Sequence, residues 1–101
     1  MKKLMLIALF WIGSTLALAD DITAGGSLYK TKGCIGCHGP AGKSANPEAF
    51  PVLAGREPAY TVEQIMAFKK YTRMNPMMNG IVAGLSEEEI ASIAAYLAAQ
   101  K

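Results

Sequence analysis

Apolar side chains recur with a helical period in the last part of the chain and nowhere alternate as strands do. Ile90, Ile93, Ala94 and Leu97 fall at i, i+3, i+4 and i+7, which predicts one apolar stripe on a helix over 87–100. Its start carries a double signature. Ser86 followed by Glu89 forms a capping box, and Leu85 and Ile90 flank the cap as a hydrophobic staple. Ala91, Ala94, Ala95, Ala98 and Ala99 keep this helix thin.

A second helix is predicted over 61–73, where Thr61 and Gln64 match a capping box and Ile65, Phe68 and Tyr71 or Thr72 follow at helical spacing. A third, over 22–32, has Asp20 and Asp21 at its start and Ile22, Leu28 and Tyr29 on one side. Gly25 and Gly26 each cost that helix about 1 kcal/mol against alanine, so the pair points to another helix passing close by. Between the helices predicted over 22–32 and 61–73, residues 39–60 carry four prolines and three glycines and read as an irregular loop. A loop of this length in a compact domain implies that it wraps something other than protein.

The first residues follow another pattern. Lys2 and Lys3 precede an apolar run from Leu4 to Leu18, which ends in Ala17-Leu18-Ala19. That is the plan of a secretory signal peptide cut after Ala19. The run is about 15 residues, short of the ~20 that cross a bilayer. The expected domains are a cleaved leader, 1–19, and one small all-α domain, 20–101, exported to the periplasm with no stable membrane insertion. Trp11, the only tryptophan, leaves with the leader. The formal charge of +2 resides in Lys2 and Lys3, so the remainder is neutral and lacks the basic stripe that nucleic-acid recognition needs. A domain this small commonly needs a staple. A Cys34–Cys37 disulfide would close too short a loop to contribute much.

Cys34-Ile35-Gly36-Cys37-His38 contains both cysteines and the only histidine. C-x-x-C-H on one helical turn sets two sulfurs to form thioethers to one edge of a porphyrin, while the next imidazole turns to the iron. Two rivals share the spacing. A redox dithiol calls for a βαβ scaffold, which the pattern lacks, and zinc calls for a fourth ligand after the cysteines and histidine are used up. A second axial ligand to iron would come from methionine, and Met74, Met77 and Met78 cluster in a Pro- and Gly-punctuated loop between the last two helices. Met66, mid-helix beside Ile65, reads as core filler.

"CIGCHGPAGKS", "FPVLAGREPAY", "QIMAFKKYTR", "NPMM" and "LSEEEIASIAAYLA" together resemble a class I cytochrome c, and are most similar to one half of the small bacterial dihaem cytochromes c. The resemblance covers nearly all of 25–99. It implies about four short helices around one covalently bound haem c, with the first and last helices crossing. It further implies Cys34 and Cys37 as thioether donors, His38 as proximal ligand, and Pro51 as the carbonyl that accepts the other imidazole N–H. Met78 takes the distal position by its spacing from Leu85, with Met77 as runner-up. Gly25, Tyr29 and Tyr96 match the residues that meet where the helices cross, and Arg56 and Tyr60 lie where propionates are often bonded. Tyr29 is one residue farther from the first cysteine than in mitochondrial members, so a bulge is expected at Gly33.

The implied function is one-electron transfer rather than catalysis, between periplasmic redox proteins as donor and acceptor, by a monomer or weak dimer. A haem subunit docked to a dehydrogenase, such as a flavoprotein oxidising a sulfur compound, is the alternative. A five-coordinate sensor or peroxidase is a third reading.

Overall fold

The computed structural model describes residues 21–101. The expected signal peptide, 1–19, lies outside them. The described residues form five helices and no strand: α1 over 21–31, α2 Cys34–His38, α3 Pro58–Lys69, α4 Pro76–Val82 and α5 Glu87–Ala98. None is long and apolar enough to cross a membrane.

The core is built where α5 meets its neighbours. Ile90, Ile93, Ala94 and Leu97 are all buried, as their spacing predicts, and Tyr29, Val82 and Leu85 join them. The capping box forms in both directions. Ser86 Oγ accepts from the Glu89 N–H at 3.1 Å, and Glu89 Oε1 accepts from the Ser86 N–H at 2.9 Å. The Ser86 N–H is also the main cause that holds the Glu89 carboxyl below its usual range.

The two glycines of α1 lie against α5. A Cβ on Gly25 would fall 1.9 Å from the Ser92 carbonyl oxygen, and one on Gly26 would stand 3.0 Å from the Tyr96 ring. The same crossing stacks Tyr29 on Tyr96 at 5.6 Å between ring centroids. The costly glycines of the sequence thus allow two backbones to approach within contact.

Three sequence expectations need correction. The second helix starts at Pro58, not Thr61, with Glu57 at its cap and proline at its first position, where the missing N–H has no intrahelical partner to lose. Thr61 is buried inside the helix, and Gln64 Oε1 accepts from Arg73 Nη1 at 2.6 Å instead of closing a capping box. That helix ends at Lys69 rather than Arg73. The chain turns at Tyr71, whose φ of 62° leaves the right-handed region, and the Thr72 and Arg73 N–H groups both donate to the Ala67 carbonyl.

The methionine segment is not a loop either. Pro76 is the first residue of α4, Asn75 caps it by accepting the Met78 N–H at 3.1 Å, and the helix count rises from about four to five. Proline, read along the sequence as a breaker, here opens a helix.

The stretch 39–57 is irregular, as predicted, except for a 3₁₀ turn at Pro40–Gly42. It is closed on itself where Leu53 and Ala54 N–H donate to the Gly42 carbonyl, and it is tied to α5 where Gly55 N–H donates to the Leu97 carbonyl at 2.9 Å. Gly42 sits at φ 73° with Leu97 Cδ2 2.7 Å from where a Cβ would stand, so glycine is required there for both reasons. At Gly33 the backbone takes φ 89° and forms the joint between α1 and α2.

Candidate functional site

A cleft of about 400 Å³ opens between the helices and the irregular stretch. Tyr29, Leu53, Ile65, Phe68, Ile81 and Leu97 give it apolar walls, and its volume is that of a site for a bound organic group.

α2 brings the three residues of C-x-x-C-H to this cleft. Gly33 caps the helix in the left-handed conformation, and Cys34, Cys37 and His38 all line the cavity. Both cysteines are free and half-buried, and burial pushes the Cys34 thiol up. His38 is buried and is held from two sides. Its Nδ1 donates to the Pro51 carbonyl at 2.9 Å, and the Phe50 ring stands edge-on to it at 6.3 Å between centroids. With the proton on Nδ1, the nitrogen left with a lone pair for an occupant is Nε2. On the far side of the peptide, Tyr29 Oη donates to the carbonyl of Gly39, the residue after His38, at 2.6 Å. The end of α2 therefore rests on α1 while its imidazole rests on the irregular stretch.

Burial, and after it the neighbouring Cys34 thiol, raise the Tyr29 phenol from 10.0 to about 12. Burial is the larger cause, and it persists when Cys34 carries no ionisable thiol. The folded-state value lies above the unfolded one, so the stabilisation is fully present below pH 10 and is lost as pH rises through about 12. Between those pH values the wild type should lose more stability than Tyr29→Phe. Denaturant melts at stepped pH, followed by circular dichroism, check this; equal losses would overturn it.

α4 supplies the methionines. Met77 and Met78 both line the cleft, but Met78 is half-buried against the core whereas Met77 is 58% exposed at the rim. Met74 is more exposed still and is absent from the cleft wall, and Met66 packs against the core. Arg56 and Tyr60 stand at the mouth. The Arg56 Nε donates to the Val52 carbonyl at 2.9 Å, and its guanidinium lies 5.3 Å from the Tyr60 ring centroid.

Sequence reasoning missed the Phe50 contact with His38 and the burial of Asn79. Asn79 carries only a faint signal, a poor helix former four residues after the cap Asn75.

The donor set fits a haem. Two thiols, an imidazole of defined tautomer and a thioether share one mostly apolar cleft, as an apolar macrocycle with a central iron requires. Among the described residues no three His, Cys, Asp or Glu side chains are grouped to hold a metal ion directly.

The sequence profile of the cytochrome c family matches residues 22–101. The chain is similar to cytochrome c4 of Pseudomonas aeruginosa, with 39% identity across 100% of this chain and 50% of the relative. It also resembles the thiosulfate dehydrogenase electron acceptor of Stutzerimonas stutzeri, 38% identical over 76% of this chain and 36% of that protein. Among solved structures, reduced recombinant cytochrome c4 from Pseudomonas stutzeri superposes with a TM-score of 0.74 and 29% identity, over 82% of this chain and 50% of the other. The chain thus spans half or less of the length of these relatives.

Proposed function

The chain belongs to the cytochrome c family, and from that premise we propose that it is a periplasmic one-electron carrier with a single His/Met-ligated haem c. Cys34 and Cys37 tether the haem, His38 is its proximal ligand and Met78 its distal one. The observation that carries this reading is the His38 Nδ1 bond to the Pro51 carbonyl in the same cleft as the half-buried Met78. It leaves a basic nitrogen and a soft sulfur, borne by different helices, that would hold the iron.

When bound, the haem supplies a ferric/ferrous couple. The chain does the rest. Pro51 keeps the imidazole oriented and raises its donor strength, and the thioether of Met78 favours the ferrous state. The apolar walls oppose the extra charge of the ferric state. With His38 and Met78 both holding the iron, no position would be left for a substrate, so the chain would carry electrons rather than catalyse a reaction. Arg56 and Tyr60 at the mouth are suited to haem propionates.

Donor and acceptor are other periplasmic redox proteins, met by a monomer or weak dimer. The similarity to a thiosulfate dehydrogenase electron acceptor supports a dehydrogenase as donor. Stable docking to such an enzyme is the second reading, favoured by the exposure of Met77 and Tyr60 beside the cleft. Size exclusion of native extract separates the two.

Met78→Ala should abolish the weak sulfur-to-iron band at the red end of the ferric spectrum and let carbon monoxide bind the reduced protein at once. Met77→Ala should do neither. The reverse pattern would transfer the distal role to Met77, and a wild type that already binds carbon monoxide would favour a five-coordinate protein.

A further inference from the structure

Asn79 is a polar amide on a helix of seven residues, yet it is only 3% exposed. Burial of an amide is costly unless its bonds are made, and here they all go to backbone. Its Nδ2 donates to the Phe68 carbonyl at 2.7 Å and to the Arg73 carbonyl at 3.0 Å. Its Oδ1 accepts the N–H of Asn75, the α4 cap, at 3.0 Å. One side chain thus joins the last turn of α3, the turn that follows it and the first residue before α4, one position from Met78.

The surroundings make this bracket matter. Residues 70–77 are exposed throughout, so the approach to α4 has little packing of its own. A helix this short does not hold together in isolation. Gly80, next along, would meet nothing within 4 Å even with a Cβ added.

We propose that Asn79 is the positioning residue for the distal ligand: its three backbone bonds fix α4 so that the Met78 thioether stays at the iron rather than swinging out with the exposed segment. This rests on the reading of Met78 as ligand. Asn79→Asp keeps the shape and the acceptor for Asn75 but sets an oxygen against the Phe68 and Arg73 carbonyls. Asn79→Ala removes all three bonds. Ser86→Ala is the control, because it removes the cap of α5 and lowers stability without touching the cleft.

The test uses the haem-loaded protein and reads carbon monoxide binding to the ferrous form and the sulfur-to-iron band of the ferric form. Wild type and Ser86→Ala should exclude carbon monoxide and keep the band. Both Asn79 variants should weaken the band and bind carbon monoxide about tenfold faster or more, the scale set by one or two lost net hydrogen bonds. If Asn79→Ala does not assemble, Asn79→Asp decides. Asn79 variants that melt early yet keep the band and exclude carbon monoxide, as Ser86→Ala does, overturn the proposal. So does failure of both to assemble, which would make Asn79 a folding residue. A wild type lacking the band refutes the Met78 reading instead, and the Asn79 inference falls with it.

Discussion

Cys34→Ser combined with Cys37→Ser is expected to leave a chain without most of its helix content, because the haem fills the centre of the fold. The cleft of about 400 Å³ is large against the seven buried apolar side chains among the described residues. The cleft is open to solvent, so without the haem its apolar walls face water and lose a stabilisation of about 25 cal/mol per Å² of apolar surface, in a domain whose whole stability is of the ordinary order of about 5–15 kcal/mol. Leu53, Ile65, Phe68, Met78 and Ile81 are only partly buried by protein and would lose their remaining cover. The irregular stretch 43–57, tied to Gly42 and Leu97 by single carbonyls, would lose the surface it wraps. Far-ultraviolet circular dichroism on the haem-free variant measures this. Native helix content would sink it.

Gly25→Ala should be nearly as damaging, although in an isolated helix it would gain about 1 kcal/mol. The added Cβ would meet the Ser92 carbonyl oxygen at 1.9 Å and the Tyr96 Cβ at 2.8 Å. Backbone cannot rotate aside, so α1 and α5 must separate. That separation loosens the Tyr29–Tyr96 stack and with it the Tyr29 bond that supports the peptide after His38. The expected loss is about 3 kcal/mol, the upper end of ordinary overpacking. Gly26→Ala provides the comparison, since its Cβ would meet only the Tyr96 ring at 3.0 Å, and it should cost distinctly less. Equal thermal midpoints for the two variants would show that the crossing can open without penalty.

The all-α class, the helix at the C-terminus with its capping box and staple, and the close helix crossing were legible because each rests on neighbours in sequence. The haem c was legible in the same way, since C-x-x-C-H brings two thiols and an imidazole within five residues. The start of α3 and the existence of α4 were not. Pro58 and Pro76 each open a helix, and proline signals a break and a first helical position with the same residue.

Local order along the chain therefore determined the helices that carry their own caps, the glycines that permit a crossing, and the chemistry of Cys34, Cys37 and His38. Tertiary structure decided the rest: how deeply Met78, which the family resemblance already favoured by its spacing from Leu85, is buried while Met77 stays at the rim, and that Asn79 is buried among backbone groups from two other segments. Neighbouring methionines are chemically alike, and the rotation of α4 against α3 is what gives them different burial. That rotation is set by contacts between residues far apart in the chain, which no short-range pattern encodes.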